Sequence, residues 1–342
     1  MIADLYLPAG AVAPGPPLPA IESAGRFGAR TPLAHGWREW LAREVGRSDL
    51  SGVAPAAIAA AALARPPQAE TTLWIATPVH LDAGLTRVHL DHRGLLQLSP
   101  AECAALAGRF MRTFGGAGFT LEPLDSGDFL LATPGIAAVA TPEPARCAGG
   151  TVTEVLPRAP QAARLRRLAS EIEMWLHSDP LNAARSGRGE PAVSALWLWG
   201  SCGSRPLGAP RPSPDVPRLP ASFGRDPWLR GLWRFGGSAC RALPEHFAEV
   251  PTTDPAGRTV LVAEVSRAAV NSGGVTRQGG GDGAPAALGR IDSQFVSPAL
   301  AALRRRELAR VTLVMNDTAA VLRRASHWQL WRRRGAGLAG FA

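Results

Sequence analysis

Alternation of apolar and polar positions divides the chain into short strands and amphipathic helices. Apolar or alternating runs predict extended segments over residues 2–7, 73–79, 86–90, 95–98, 119–122, 129–132, 193–199, 259–265, 310–316, 319–323 and 328–331. Apolar residues at helical spacing and capping signals predict helices over residues 33–45, 55–63, 99–114, 158–177, 180–187, 228–242 and 297–307. Serine followed by proline, at Ser99–Pro100 and again at Ser297–Pro298, is typical of an N-cap and the first helical position.

This order of elements predicts the fold class. Two extended segments, a helix and two further strands fall within residues 70–150, which predicts a compact α+β lobe. Residues 1–69 form an α-rich N-terminal part of the core, and residues 151–342 form a C-terminal α/β part. We therefore expect an α/β protein with mixed lobes: a central mixed sheet with flanking helices and a smaller strand-strand-helix-strand-strand lobe.

Two stretches interrupt the regular pattern. Residues 203–223 contain too many prolines for regular structure and predict a surface loop or linker. Residues 271–289 are rich in glycine and predict a disordered or mobile loop. By contrast, Asn316–Asp317 lies between two apolar runs and predicts the tight turn of a hairpin.

Composition narrows the possible chemistry. All 37 basic residues, against 28 acidic ones, are arginine, so a lysine Schiff base and the lysine of a P-loop are excluded. The net charge of +9 is spread along the chain, and we do not expect nucleic acid as a partner. The four cysteines form no C-x-x-C pair, and no apolar run is long enough to cross a membrane. We expect a cytoplasmic protein with reduced thiols and no membrane contact.

The most informative segment runs from Asp179 to Gly200. Asp179 caps a short helix that carries Asn182 and Arg185 on one face. A strand with Trp197 and Trp199 then ends at a turn that begins with Gly200–Ser201. An arginine fork, an asparagine amide and turn amides could together hold a phosphate or carboxylate. The alternative is that Asn182 and Arg185 tie the helix to the strand, with both tryptophans in the core.

The pattern Asp-Pro-Leu-Asn-x-x-Arg, Glu-Pro and Leu-Trp-Leu-Trp-Gly, at residues 179–200, resembles the archaeal-type cofactor-independent phosphoglycerate mutases. It resembles still more the bacterial RpfE-type regulatory proteins related to them. The opening Leu5–Pro8 and the Pro78–Val79–His80–Leu81 step extend the resemblance, which adds His80 to the candidate ligand-binding residues. The chain departs from the family pattern at Ser194–Ala195 and at Ser201–Cys202.

The resemblance implies a fold of the alkaline-phosphatase-like superfamily, and for a true mutase a two-metal site with a hydroxyl nucleophile. The sequence shows no Asp-Gly-x-x-Asp step after its first strand and no metal motif after residues 259–265. His89-x-x-His92 would point to opposite sides of a strand, which disfavours a metal site there. Cys202 has no neighbouring histidine and is more typical of a small apolar filler than of a nucleophile.

Three functional hypotheses follow. The first is a regulatory or ligand-binding protein that lacks the catalytic metals, requires no cofactor, and binds a small phosphorylated or carboxylate anion through Asn182, Arg185, Trp197, Trp199, Gly200, Ser201 and His80. The second is an active phosphoglycerate mutase or phosphotransferase dependent on a divalent metal such as manganese. The third is a regulator that binds an acidic protein partner through exposed arginines and the loop 203–223.

Overall fold

The computed structural model of the chain describes residues 2–3, 17–61, 63, 71–84, 87–91, 94–152, 157, 159–203, 219–251, 257–263 and 283–323. The strands are β1 (Ile2–Ala3), β2 (Ala29–Pro32), β3 (Thr71–Val79), β4 (Asp82–Ala83), β5 (Val88–Leu90), β6 (Thr120–Pro123), β7 (Phe129–Pro134), β8 (Gly150–Thr151), β9 (Ala195–Cys202), β10 (Ala221–Phe223), β11 (Cys240–Arg241), β12 (Thr259–Ala263), β13 (Arg310–Met315) and β14 (Thr318–Arg323). The α-helices are α1 (Pro19–Phe27), α2 (Gly36–Glu44), α3 (Pro55–Ala60), α4 (Pro100–Phe114), α5 (Pro144–Cys147), α6 (Ala163–His177), α7 (Pro180–Gly187), α8 (Pro227–Phe235), α9 (Gly283–Ile291) and α10 (Ser297–Arg305).

A seven-stranded mixed sheet organises the larger part of the described chain, in the order β11-β10-β12-β1-β13-β14-β2. The first five strands in that order are parallel, β14 is antiparallel to β13, and β2 is antiparallel to β14. Strands β2, β10 and β13 therefore end at the same edge of the sheet. Helices α1, α9 and α10 pack on one face, and α2 and α8 pack on the other.

A second, antiparallel sheet with the order β6-β7-β3-β9 forms the smaller lobe. Alternation along β9 sends Leu196 and Leu198 to the face covered by α4, α6 and α7, and Trp197 and Trp199 to the face covered by α3. A short three-stranded sheet, β4-β5-β8, adjoins this lobe. The structure thus confirms the α/β class with mixed lobes and a central mixed sheet.

The smaller lobe extends further along the chain than the predicted α+β lobe at residues 70–150. Strand β9 forms an antiparallel ladder with β3, so residues 195–202 join the sheet that residues 71–134 begin. Local pattern cannot show this pairing, because the two strands are more than a hundred positions apart in the sequence. The division into 1–69, 70–150 and 151–342 stays a prediction about folding units.

Several predicted elements are confirmed nearly to the residue. Ser99 caps α4 in a capping box with Glu102, and the helix ends at Phe114 as predicted. Asp179 accepts a hydrogen bond from the backbone N–H of Leu181 at the start of α7. The turn at Asn316–Asp317 has both residues at positive φ, 48° and 54°, which is the conformation of a type I′ hairpin turn.

Four predictions need correction. The helix after Asp226 ends at Phe235 rather than at residue 242, because Gly236–Gly237 follow it and residues 240–241 pair as β11. The predicted loop 203–223 includes strand β10 at its end. Ser297 is not an N-cap, since residues 283–296 are already helical, including a π-helical turn at Asp292–Val296. That helix also replaces the second half of the predicted glycine-rich loop. The first half of that loop, and the strand predicted at 328–331, lie outside the described residues.

Candidate functional site

A pocket of about 540 Å³ lies between the seven-stranded sheet and the smaller lobe. We call it the interlobe pocket. One wall follows the carboxyl ends of parallel strands: His35–Glu39 come after β2, and Trp228 comes after β10. The other wall consists of residues 138–143 and the end of β9, and residues 52–55 contribute as well. Open α/β sheets commonly bind ligands at the carboxyl ends of their strands, which makes this pocket the first candidate site.

A charged cluster closes one side of the interlobe pocket. Arg38 donates two parallel hydrogen bonds of 2.7 Å to the carboxylate of Glu143, and its Nη2 also lies 2.7 Å from Oδ2 of Asp226. These side chains are 12%, 8% and 4% exposed, so the ion pairs are largely removed from water. Arg38 and Asp226 belong to the larger part and Glu143 to the smaller lobe, so the cluster joins the two.

The protonation of Asp226 depends on this environment. Complete burial raises the pKa of Asp226 above its ordinary value, and the neighbouring Glu143 raises it further, whereas Arg38 and the backbone N–H of Leu229 act in the opposite direction. Two carboxylates sharing one guanidinium cannot both be fully compensated. The raised pKa of Asp226 results mainly from its burial, which the shared guanidinium of Arg38 only partly offsets.

Arg146 is the second arginine of the pocket wall. Its Nη1 lies 2.5 Å from Oδ2 of Asp317, and its Nε lies 3.9 Å from Oε2 of Glu143. Asp317 also accepts a hydrogen bond from the backbone N–H of Trp37, at the start of α2. Gly36 makes room for this arrangement, since a Cβ there would lie 3.2 Å from Nη2 of Arg146 and its φ is +78°. The Arg146 side chain is 38% exposed, so solvent or a ligand can reach it.

Two polar atoms on uncharged side chains of the pocket-lining residues have no hydrogen-bond partner among the described residues. They are Nε1 of Trp37, a residue only 2% exposed, and Oγ1 of Thr141. A buried donor without a partner costs free energy, on the order of 1–3 kcal/mol. Both residues line the pocket, and the two atoms lie just beneath its surface, where a small movement of the wall would let them donate to an acceptor that enters it.

Trp199 is the predicted site residue most firmly built into the pocket. Its ring lies 5.0 Å from the guanidinium carbon of Arg38, which also lies 4.5 Å from the ring of Trp37. Its Nε1 donates to Oγ1 of Thr77, whose hydroxyl donates in turn to the buried carboxylate of Asp128. This chain of hydrogen bonds fixes the orientation of the indole that faces Arg38.

Gly200 and Ser201 also line the pocket, as neighbours of Trp199. Gly200 has a φ of +64°, and a Cβ there would lie 2.9 Å from Cβ of Pro55, so the position requires glycine. The hydroxyl of Ser201 donates to the carbonyl oxygen of Val139 at 2.8 Å, which ties β9 to the opposite loop. Three of the seven predicted residues therefore meet at one pocket.

Asn182 and Arg185 lie elsewhere, and protein groups engage both side chains. The amide of Asn182 donates to the carbonyl oxygens of Leu176 and Val193 and accepts from the backbone N–H of Val193. Arg185 is 2% exposed and donates to the carbonyl oxygen of Pro191. These contacts are those expected if the two residues tie helix α7 to strand β9. Ligand binding by Asn182 and Arg185 stays a prediction.

Glu102 extends this tie to helix α4. Its Oε1 lies 3.1 Å from Nη1 of Arg185 and accepts from Arg188 at 2.7 Å, while its Oε2 completes the capping box with Ser99. Burial raises the pKa of Glu102, but the hydrogen bonds from Ser99 and the charge of Arg185 outweigh burial, and the pKa lies below its ordinary value. The carboxylate is held ionised as part of the packing between α4 and α7.

The remaining predicted residues are also outside the interlobe pocket. Trp197 is buried beside the lobe's core, and its Nε1 donates to the carbonyl oxygen of Pro142. His80 makes a 2.8 Å hydrogen bond through Nδ1 to the carbonyl oxygen of Ala192, and its Nε2 lies 3.5 Å from Asp82. Neither contact brings His80 to Trp199. A ligand role for these two residues likewise stays a prediction.

Sequence reasoning missed Arg38, Glu143 and Arg146 as pocket residues. No local motif marks them, because the three charges come together only when α2 and α5 face each other across the pocket. The sequence does contain a signal for Asp226, because Asp226–Pro227 is typical of a helix start. The structure shows the Asp226 carboxylate accepting a hydrogen bond from the backbone N–H of Leu229. That cap fixes the carboxylate beside Arg38.

The described residues do not contain a metal centre of the kind that the family resemblance implies. No three His, Cys, Asp or Glu side chains in this part of the chain are grouped so that they could hold a metal ion. Residues 4–16, after β1, and 264–282, after β12, lie outside the described part. Burial raises the pKa of the Cys202 thiol, which does not favour a nucleophilic thiolate there. Among the described helices, none combines the length and apolar character needed to cross a bilayer.

Comparison with known proteins gives distant structural similarity only. No protein-family model and no curated protein sequence matches the chain. The chain is similar to the cofactor-independent phosphoglycerate mutase from Thermoplasma acidophilum DSM 1728, with 13% identity, 89% of this chain and 80% of that one covered, and a TM-score of 0.35. It is also similar to the PH0037 protein from Pyrococcus horikoshii, with 11% identity, coverage of 90% and 80%, and a TM-score of 0.40. At these values the similarity assigns no function to this chain.

Proposed function

We propose that this protein is a phosphoglycerate-mutase-like regulatory protein that binds, without converting, a small phosphorylated or carboxylate anion in the interlobe pocket. The observation that carries the proposal is a pair of polar atoms with no partner among the described residues, Trp37 Nε1 and Thr141 Oγ1, on residues that line a 540 Å³ cavity at the carboxyl edge of the sheet. An indole N–H can only donate, and a hydroxyl can donate as well. Oxygen acceptors of a carboxylate or phosphate suit both atoms.

Arg146 supplies the charge that such a ligand needs. Its guanidinium is the more accessible of the two in the pocket, with 38% exposure against 12% for Arg38. We expect the anion to accept hydrogen bonds from Arg146 at the mouth and from Thr141 deeper in. Arg38 donates its hydrogen bonds to Glu143 and Asp226, and we propose that its role is to maintain the shape of the pocket.

The ion pairs of Arg38 with Glu143 and Asp226 also favour binding over catalysis. Glu143 and Asp226 are the carboxylates nearest to Arg38, and both are engaged by its guanidinium. A carboxylate held in this way serves structure rather than proton transfer to a substrate. Turnover of 3-phosphoglycerate by purified protein with manganese would contradict this part of the proposal.

The charges also predict a pH dependence. Arg38 and Arg146 face Glu143, Asp226 and Asp317, so these five described side chains carry one more negative than positive charge when all the carboxylates are ionised. Protonation of Asp226, whose pKa is raised by burial, removes that excess. We therefore expect anions to bind more tightly as the pH falls from neutral toward the acid range.

Isothermal titration calorimetry with 3-phosphoglycerate, and with glycerol as an uncharged comparison, tests the proposal. Thr141→Val keeps the shape and removes the hydroxyl, and we expect it to weaken binding about tenfold. Arg146→Gln should weaken it at least as much. Arg167→Gln, whose side chain is 83% exposed on α6, is the matched control and should bind like the wild type. Equal affinities for wild type, Thr141→Val and Arg146→Gln would exclude the interlobe pocket as the anion site.

A further inference from the structure

A second cavity, of about 530 Å³, lies at the opposite edge of the seven-stranded sheet. We call it the amino-edge cavity, because its wall includes Thr259, the first residue of β12, and Arg310, the first residue of β13. Helix α2 contributes its last turn, and the wall also includes residues 247, 250–251, 257, 299 and 307–309. It shares no lining residue with the interlobe pocket.

The sheet register places two strand segments beside this cavity. Strand β1 lies between β12 and β13, and its Ile2 pairs with Val262 on one side and Val314 on the other. Both partners are well inside their strands, so residues 259–261 and 310–313 extend past Ile2 toward the amino edge. These two strand segments flank the cavity.

Part of the wall of the amino-edge cavity is apolar. Leu41 and Val45 from α2, Val260 from β12 and Val311 from β13 are buried core residues that line it. The half-buried ring of Trp40 adds a flat aromatic surface. These walls suit a hydrocarbon or aromatic body, because covering them removes apolar surface from water.

The mouth of this cavity carries an excess of positive charge. Arg258 and Arg310 each lie 3.4 Å from the same oxygen, Oε2 of Glu44, and are 42% and 39% exposed. Arg258 also donates to the main-chain oxygen of Glu44. The other carboxylate of the wall, Glu307, is held by Arg305 through hydrogen bonds of 2.7 and 3.0 Å. Among the described residues, three arginines thus face two glutamates, which leaves one positive charge in excess.

We propose that the amino-edge cavity binds an amphiphilic monocarboxylate, a single carboxylate on an apolar body. The ligand carboxylate accepts hydrogen bonds from N–H groups of Arg258 and Arg310 that Glu44 does not engage, since planar guanidinium groups bind carboxylates with paired hydrogen bonds. The apolar body lies against Trp40 and the valine and leucine side chains of the wall. This site is independent of the anion proposed for the interlobe pocket, since the two cavities lie at opposite edges of the sheet.

Calorimetry with octanoate as the probe tests this proposal, with octanol and octylamine as the uncharged and cationic comparisons. We expect octanoate to bind at least about tenfold more tightly than octanol, since a hydrogen bond to a charged group contributes on the order of a tenfold change in affinity. Octylamine should bind more weakly still. Arg310→Gln should reduce the affinity for octanoate about tenfold while leaving that for octanol unchanged.

A second variant tests the location without removing a charge. Ala309 is exposed at the wall of the cavity, so Ala309→Phe should fill the mouth without disturbing the core and should abolish octanoate binding. Arg167→Gln and Thr141→Val are controls that should keep wild-type affinity for octanoate. Equal binding of octanoate and octanol, undiminished binding by Ala309→Phe, or no octanoate binding by the wild type would overturn the proposal. Loss of octanoate binding in Thr141→Val would move the ligand to the other pocket and overturn it as well.

Discussion

The guanidinium carbon of Arg38 lies 5.0 Å from the ring centroid of Trp199, across the boundary between the large sheet and the smaller lobe. Arg38 belongs to α2, whereas Trp199 is fixed within β9 by its hydrogen bond to Thr77. The contact therefore couples the two lobes through one cation and one ring. It also places the predicted tryptophan next to charges that sequence reasoning did not anticipate.

Replacing Arg38 by glutamine should destabilise the protein strongly. The change leaves Glu143 and Asp226 buried without their shared cation, and breaking a buried ion pair in this way costs about 3–5 kcal/mol. Urea unfolding measures the change in the free energy of unfolding. Arg43→Gln, on the same helix but with a side chain 56% exposed, is the control and should shift it by less than about 0.5 kcal/mol. Similar values for both variants would show that the cluster adds little to stability.

Asn182→Ala should lower the free energy of unfolding by about 1–3 kcal/mol, because it leaves the N–H and C=O of Val193 without their partner. We expect Arg185→Gln to act in the same direction, since it separates α7 from Glu102. Anion affinity, measured in the same samples by calorimetry, should not change. A selective loss of anion binding with unaltered stability would instead support the ligand role first predicted for these residues.

Asp292 should make stability depend on pH. Burial raises the pKa of Asp292 above its ordinary value of 3.8, against the opposing hydrogen bonds from the backbone N–H groups of Ile21 and Ala20. A folded-state pKa above the unfolded one contributes stability at low pH, which is lost as the pH rises through the folded-state value. Asp292→Asn should remove this loss.

Urea unfolding of wild type and Asp292→Asn from pH 4 to pH 7 provides the measurement. The difference in free energy of unfolding, wild type minus variant, should fall as the pH rises. If this difference in the free energy of unfolding stays constant with pH, it would reflect only the altered hydrogen bonding to α1 and would contradict the predicted pH dependence. A difference that grows with pH would mean that the pKa of Asp292 is lowered by folding, contrary to this prediction.

Gly200→Ala should destabilise the pocket wall. The substitution forces a φ of +64° on alanine and brings its Cβ to 2.9 Å from Pro55, with an expected cost of about 1–3 kcal/mol. Gly187→Ala is the matched control, because nothing lies within 4 Å of a Cβ there. We expect that change, in helix α7, to be neutral or to stabilise by about 0.5–1 kcal/mol. In thermal unfolding, the melting temperature should therefore fall for Gly200→Ala and should stay the same or rise for Gly187→Ala.

Elements with strong local signals were predictable from the sequence. Helix α4 follows from Ser99, Pro100 and Glu102, and the turn between β13 and β14 follows from Asn316–Asp317. Predictions failed where the surrounding structure outweighed the local sequence signal. Ser297–Pro298 has the chemistry of a helix start, yet α10 continues directly from the π-helical turn Asp292–Val296, so the proline lies in the first turn of α10 without starting a separate helix.

The features of the candidate site also divide into those that the sequence predicts and those that only the structure shows. That Trp197 and Trp199 share one face of a strand follows from the two-residue period of β structure, which any extended segment obeys. Whether that face meets solvent, core or a pocket depends on which strand pairs with β9 and on what packs above it. Asn182 and Arg185 show the limit of prediction from local sequence. Their spacing predicts that they lie on one face of a helix, but it does not predict that Val193 and Glu102 form hydrogen bonds with their side chains.

The sequence by itself determined the α/β class, the boundaries of helices α4 and α7, the hairpin turn and the exclusion of lysine-dependent chemistry, because these depend on composition and on side chains within a few positions of one another. Only the tertiary structure decided that β9 pairs with β3, that Arg38 meets Glu143 and Asp226, and that cavities lie at both edges of the large sheet. Those features join residues that are distant in the chain, and their energies come from burial and charge pairing that exist only after the elements pack.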